Sequence, residues 1–234
     1  MEVFLIPTVL HEEESALQAL PAYLPEAVKK CDVFFVENEK TARRFFKKLW
    51  REMVIDAYEW YPVHKMEQEA ESIFATKLKE GKTIGIVSEA GCPGIADPGQ
   101  ILVRKAQEMG AVIRPLIGPN SMILALMASG MNGQCFQFSG YLPVDSTERK
   151  KKIKELEVES GKKQCTQIFI ETPYRNNQLI KDVLQTCKNN TRFCIAADLT
   201  ASSEYIKTKT IGNWKKEQID LHKRPAIFLL QAEG

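Results

Sequence analysis

Thr83-Ile84-Gly85-Ile86-Val87-Ser88-Glu89-Ala90-Gly91-Cys92-Pro93-Gly94-Ile95-Ala96-Asp97-Pro98-Gly99 carries most of the architectural information in this chain. Thr83 to Val87 is short, apolar and β-branched, the composition of a buried strand. Pro98 to Met109 sets Ile101, Leu102, Val103 and Ala106 on one helical face. Small and rigid residues from Ser88 to Gly99 join the two, so the connection leaves the carboxyl end of a strand. Asp97 suits a helix cap, Pro98 a first helical position, and Gly110 a left-handed stop. In open α/β sheets ligands bind outside the carboxyl ends of the strands, where glycines let backbone approach them. Loops of this length are uncommon unless functional, so a small-molecule site is expected; an ordinary turn-rich connection is the competing reading.

Working outward, Val3 to Thr8 and Asp32 to Glu37 read as short buried strands, with helical packing expected over Ala16 to Lys30 despite Pro21 and Pro25. Helices are expected over Lys40 to Arg51 and Met66 to Glu80, the latter with Ile73, Phe74 and Leu78 inward and Gly81 as its stop. A strand at Ala111 to Ile117 completes an alternating series, which argues for a parallel sheet with helices on both faces. Ser121 to Ser129 is apolar nearly all round, as for a helix buried between two layers. Beyond it, strands are expected at Cys135 to Leu142, Gln167 to Thr172, Phe193 to Asp198, Glu204 to Ile211 and Ala226 to Gln231. A charged helix opens at a capping box of Asp145 and Glu148, and another helix spans Gln178 to Lys188. The expected fold is α/β, in two α/β domains, 1–117 and 118–234.

With 234 residues, 44% hydrophobic and 26% charged, the chain has the composition of a soluble globular protein, and a formal charge of +2 names no partner. The six cysteines form no Cys-x-x-Cys pair and read as small core residues in a reducing compartment. No leader precedes Val3 and no apolar run approaches a bilayer span, so a cytoplasmic protein without membrane attachment is expected. Three histidines without helical metal spacing give no case for a metal. Two basic stretches could neutralise phosphates: Lys40, Arg43, Arg44, Lys47, Lys48 and Arg51 beside Phe45, Phe46 and Trp50, and Arg149 to Lys152 with Lys154. Both are offset by nearby glutamates, and most such runs are solvated helix faces.

Several segments together match a family pattern. Ser88 to Gly99 closely resembles the loop V-S-D-A-G-T-P-x-I-x-D-P-G of the ribosomal RNA small subunit methyltransferase I family. Gly118-Pro119-Asn120-Ser121, followed by Ala125, Leu126, Ser129 and Gly130, is similar to its G-P-x-(A/S)-x-x-x-A-L-x-x-(A/S)-G. Phe138 to Pro143 resembles F-x-G-F-L-P, Ile168 to Arg175 resembles I-F-Y-E-S-P-H-R, and Asp198-Leu199-Thr200 falls where the family has R-E-L-T-K. The N-terminal third departs: Pro7 and Thr8 are followed by Val9, Leu10 and His11 rather than I-G-N-L, and E-D-T-R-x-(T/S) appears as Glu37-Asn38-Glu39-Lys40-Thr41. The H-x-x-N-E element leaves only Glu67, with His64 out of register. The resemblance thus bears on the methyl donor more than on the acceptor.

The resemblance implies the tetrapyrrole-methylase superfamily, whose two α/β domains bind S-adenosylmethionine in the cleft between them. It places the donor against Ala90, Gly91, Asp97, Pro98 and Gly99 and against Ser121, Met122 and Ile123, with Leu199 and Ala226 enclosing the adenine. Asp97 could equally cap its helix, and Met122 and Ile123 could be plain core. For the removal of a proton from a ribose hydroxyl, Glu37 ranks first, followed by Glu89, Glu39 and Lys40; each could also be a surface charge or a cap. The expectation is a homodimeric cytoplasmic methyltransferase using S-adenosylmethionine, without a metal, and acting on small-subunit ribosomal RNA. Rival readings keep the donor with a tetrapyrrole acceptor, against which Ile6-Pro7-Thr8-Val9 lacks a glycine-rich first loop, or bind the donor without turnover.

Overall fold

Five segments of the first half become strands in the computed structural model, which describes residues 1–63, 67–97 and 99–233. They are β1 (Glu2–Ile6), β2 (Val33–Val36), β3 (Glu59–Pro62), β4 (Thr83–Val87) and β5 (Val112–Pro115). All pair in parallel, in the order β3-β2-β4-β1-β5. Because side chains alternate along a strand, β2 sends Phe34 and Val36 to one face and Val33 and Phe35 to the other, and all four are fully buried. Helices α1 (Leu24–Val28) and α2 (Glu39–Leu49) cover the first face, where Phe34, Phe46 and Trp60 stack closely. Helices α3 (Glu67–Lys79) and α4 (Gln100–Glu108) cover the second through Phe74, Leu78, Leu102 and Ala106. The chain after β1 therefore turns to one face and the chain after β4 to the other, although the two strands are neighbours. Such a reversal opens a crevice at the carboxyl ends, and it places Thr8, Glu37 and the Ser88–Asp97 turn together.

The chain divides into Met1–Asn120, which holds this sheet, and Ser121–Gly234. The second unit contains α5 (Ser121–Ser129), β6 (Phe136–Tyr141), α6 (Ser146–Lys163), β7 (Thr166–Ile170), α7 (Asn176–Thr186), β8 (Arg192–Ala197), β9 (Tyr205–Thr210), α8 (Ile211–Trp214) and β10 (Ala226–Gln231). Its sheet runs β6-β7-β10-β8-β9, parallel only between β6 and β7. Phe169, Phe193 and Phe228 stack through its core, and the buried Trp214 indole donates to the Phe193 carbonyl at 2.8 Å. Both units are α/β, as the alternation of elements predicts.

Local departures have physical causes. Ala16 to Lys30 is two short pieces, a 3-10 turn at Glu14–Ala19 and α1, because Pro21 cannot donate to a continuous helix and Pro25 fits only its first turn. Strand β3 escapes sequence reading: it is four residues long and ends in proline, as an edge strand can. The late strand stops at Thr210, whose side chain caps α8 at the Asn213 N–H, so Ile211 is helical. Helix α5 is not wholly buried, since Ile123 and Met127 are exposed. Cys31, Cys165, Cys187 and Cys194 are buried, but Cys135 is exposed and Cys92 half-buried. Met66, at the expected start of α3, and His64 lie outside the described residues.

Candidate functional site in the first unit

The crevice is tied together by backbone. Thr8 donates its N–H to the Gly91 carbonyl at 2.8 Å and its hydroxyl to the Ser88 carbonyl at 3.3 Å. The Glu37 N–H donates to the Val87 carbonyl at 3.2 Å, and the Glu89 N–H to Glu37 Oε2 at 3.0 Å. The ends of β1, β2 and β4 thus meet at one node. Gly91 has a φ of +78° and so tolerates no ordinary side chain; a Cβ there would also lie 3.2 Å from the Pro119 carbonyl oxygen. Gly118 is constrained by contact: a Cβ would come within 2.1 Å of Pro7 Cβ, so only glycine lets this segment run beside β1's exit. Cys92 Sγ donates to the Pro119 carbonyl at 3.6 Å, and burial pushes its thiol pKa up. Ala96 adopts a left-handed φ of 57°, a conformation uncommon outside glycine and a mark of a turn held by its surroundings.

Two carboxyls line this turn. Glu37 and Asp97 are half-buried, and each carboxyl acts on the other. Burial raises the pKa of each. For Glu37 the Glu89 N–H opposes that rise and the Asp97 charge adds to it; for Asp97, donors from Gly99, Glu37, Gly94 and Ser88 oppose it. Two acids in contact disfavour each other's ionisation, which adds to the effect of burial on Glu37. The node therefore presents two interacting carboxyls, each with its pKa raised, and several backbone carbonyls.

The expected site residues fall into two sets. Glu37, Glu89, Gly91, Asp97 and Gly99 come together in the first unit, with Ala90 exposed on the same turn. Asp97 does not cap a helix: α4 starts at Gln100 with Gly99 as its cap, and Asp97 Oδ1 accepts the Gly99 N–H at 2.9 Å. The carboxyl is engaged by Glu37 and by the turn instead. Pro98 lies outside the described residues. The Lys40 side chain is exposed while its N–H goes to Asn38 Oδ1, and Glu39 pairs with Arg43 at 2.7 Å. Glu89 Oε1 accepts from the Thr41 hydroxyl at 3.2 Å. In the second unit, Ser121 and Met122 are half-buried at the start of α5, Ile123 is exposed, Leu199 is buried, and Ala226 belongs to the core cluster. Sequence reading missed Thr8 and Ser88 as site residues; their position at strand ends was the available signal.

The basic stretches differ from expectation as well. Phe45 and Phe46 are core residues, and Trp50 packs against the same cluster, so the aromatics of the first stretch face inward. In the second, Arg149 is buried against Asp182, its guanidinium also donating to the Pro143 and Val144 carbonyls. Among the described residues no cluster of His, Cys, Asp or Glu suits a metal, and no helix is long and apolar enough to cross a membrane.

The node's donors and acceptors fit S-adenosylmethionine: carboxyls and carbonyls suit hydroxyls, an ammonium and a sulfonium, and exposed turn backbone leaves room for close approach. The family model for Tetrapyrrole (Corrin/Porphyrin) Methylases matches residues 11–214. Ribosomal RNA small subunit methyltransferase I of Buchnera aphidicola subsp. Schizaphis graminum is 38% identical over 168 residues, 70% of this chain and 57% of the relative. Its namesake in Escherichia coli O157:H7 is 36% identical over 174 residues, 73% and 58%. The chain thus spans under three fifths of the length of these relatives. The fold is similar to that of the methyltransferase CobJ, with a TM-score of 0.64 at 14% identity over 99% of this chain and 93% of the other. It is also similar to uroporphyrin-III-C-methyltransferase from Thermus thermophilus, with a TM-score of 0.57 at 13% identity over 98% and 94%. On the match of the family model across most of its length, this chain belongs to the tetrapyrrole (corrin/porphyrin) methylase family.

Proposed function

We propose that this protein is an S-adenosylmethionine-dependent methyltransferase whose acceptor is small-subunit ribosomal RNA, at a ribose hydroxyl. The observation that carries the reading is the Glu37–Asp97 carboxyl pair, pinned by the Glu89 N–H at the ends of three parallel strands. Its setting is a chain 36–38% identical to two proteins named ribosomal RNA small subunit methyltransferase I.

When bound, the donor supplies an electrophilic methyl group. Transfer to an oxygen is an in-line displacement, so most of the protein's contribution is positioning. Asp97, held by the Gly99 N–H, and the Ser88–Gly91 turn orient hydroxyls and cationic groups. Glu37 is the candidate acceptor for the proton that an attacking hydroxyl must lose, a task suited to a carboxylate whose pKa is raised toward the working pH. Glu89 stands beside it, and Lys40, exposed in the first turn of α2, belongs to the same proposal. Donor contacts from Ser121, Met122, Ile123, Leu199 and Ala226, a homodimeric assembly and a cytoplasmic location belong to the same proposal, which invokes no metal.

The test is transfer of labelled methyl from S-adenosylmethionine to small ribosomal subunits from cells lacking this protein. Incorporation into the RNA, lost in Glu37→Gln, supports the reading. No incorporation by the wild-type chain overturns it.

A further inference from the structure

A second cavity, of about 210 Å³, opens in the first unit beside the node just described. Thr8, Thr41 and Glu89 form the side it shares with the node, Leu17 and the edge of the core residue Phe45 its apolar wall, and Glu12, Glu13 and Arg44 a rim of mixed charge. Lys48 lines it too, and donates to the Glu12 carbonyl at 3.3 Å, which leaves its charge without a carboxylate partner. Helical spacing puts Lys40, Arg44 and Lys48 on one face of α2, at steps of four residues, with Lys47 alongside. All four are exposed, and among the described residues none is paired with an acidic side chain. By contrast Arg43, on another face, is paired with Glu39 and Asp56 and lies over the Trp60 ring. The helix thus sorts its cations: one is held by partners, and a row about 12 Å long stands open and ends next to Glu37.

We infer that this cavity and the α2 row form a seat for single-stranded RNA, one nucleobase resting on Leu17 and Phe45 while flanking phosphates lie on Arg44 and Lys48. The inference rests on the proposed reading of the neighbouring node and adds the route by which the acceptor strand reaches it. Leu17 gives a base an apolar surface and the α2 row gives its backbone point charges, while the Glu12 and Glu13 carboxylates that also line the cavity turn phosphates toward α2. The Thr41 hydroxyl oxygen and the Glu89 carboxylate give base edges partners where the cavity meets the node.

The experiment titrates a short single-stranded oligoribonucleotide into the full chain over a range of salt concentrations, for wild type, Arg44→Gln, Lys48→Gln and the double variant. Neutralised phosphates set the slope of log affinity against log salt, so each variant should lower it by about 0.7 and the double variant by about twice that. Leu17→Trp, which fills the cavity without touching charge, should weaken binding at an unchanged slope. A double variant with the wild-type slope overturns the phosphate seat, and a Leu17→Trp protein with wild-type affinity overturns the base seat. Labelled-methyl transfer and S-adenosylmethionine calorimetry on the same proteins separate the two claims. Altered slopes without any transfer by wild type would sink the methylation reading alone; transfer with unaltered slopes would sink this one alone.

Discussion

Helices α2 and α6 carry similar runs of lysine and arginine, and the two units treat them in opposite ways. On α6, Arg149 is buried against Asp182 and Lys154 pairs with the buried Glu157 at 2.6 Å, while Lys152 reaches Glu155 at 3.7 Å. On α2, Lys40, Arg44, Lys47 and Lys48 stand exposed without such partners. Charge density in a sequence therefore says little about a surface; what matters is which carboxylates the fold brings to each cation. The same contrast holds for the acids. Glu157 is satisfied inside the second unit by Lys154, by the Thr191 hydroxyl at 2.7 Å and by the Lys188 N–H at 2.6 Å. Glu37 in the first unit faces another carboxyl. One pattern stabilises a fold, and the other is the pattern on which the proposed function draws.

The largest expected effect lies in the second unit. Arg149→Ala leaves Asp182 buried and uncompensated, and should cost about 3–5 kcal/mol in denaturant unfolding. Arg44→Gln should stay within about 0.5 kcal/mol of wild type. Comparable losses from the two changes would erase the distinction between spent and available cations.

A smaller effect separates the acids by pH. Burial alone would raise the Glu157 pKa, but its three donors outweigh that and leave it lowered. Its stabilisation is therefore present above the ordinary carboxylate range and fades as pH falls through the lowered value. Glu157→Gln should cost about 2 kcal/mol at neutral pH and little in strong acid. For Glu37 the pKa is raised, first by burial, so its stabilisation is present in the protonated form and disappears as pH rises through the raised value. Glu37→Gln should consequently be neutral, or stabilising by up to about 1 kcal/mol, at neutral pH while abolishing methyl transfer. A large destabilisation by Glu37→Gln would place that residue with Glu157, among structural acids.

Much of this was legible in the sequence, and the gaps have causes. The glycines and prolines between Ser88 and Gly99 announce the long turn, and the apolar runs at Val33–Val36 and Thr83–Val87 announce the strands beside it. What stayed hidden depends on distant partners. Nothing near Arg149 reveals that Asp182, on α7, will bury it, and nothing beside Glu37 reveals Asp97, which arrives from the far end of the turn after β4. Asp97 itself reads as a cap because the sequence shows a helix start but not the carboxyl that draws its side chain away. The edge strand β3, short and closed by Pro62, lacks the length from which alternation could be read.

The most direct test of the account is calorimetric titration of S-adenosylmethionine into this 234-residue chain and its Asp97→Asn variant across pH. The ligand is cationic at sulfur and at its amine, so wild-type affinity should tighten as rising pH ionises Glu37 and Asp97, whose pKa values burial raises. Asp97→Asn should weaken binding about tenfold or more and flatten that pH dependence. Failure of the wild type to bind the donor, or equal affinity and equal pH dependence in the two proteins, would contradict it.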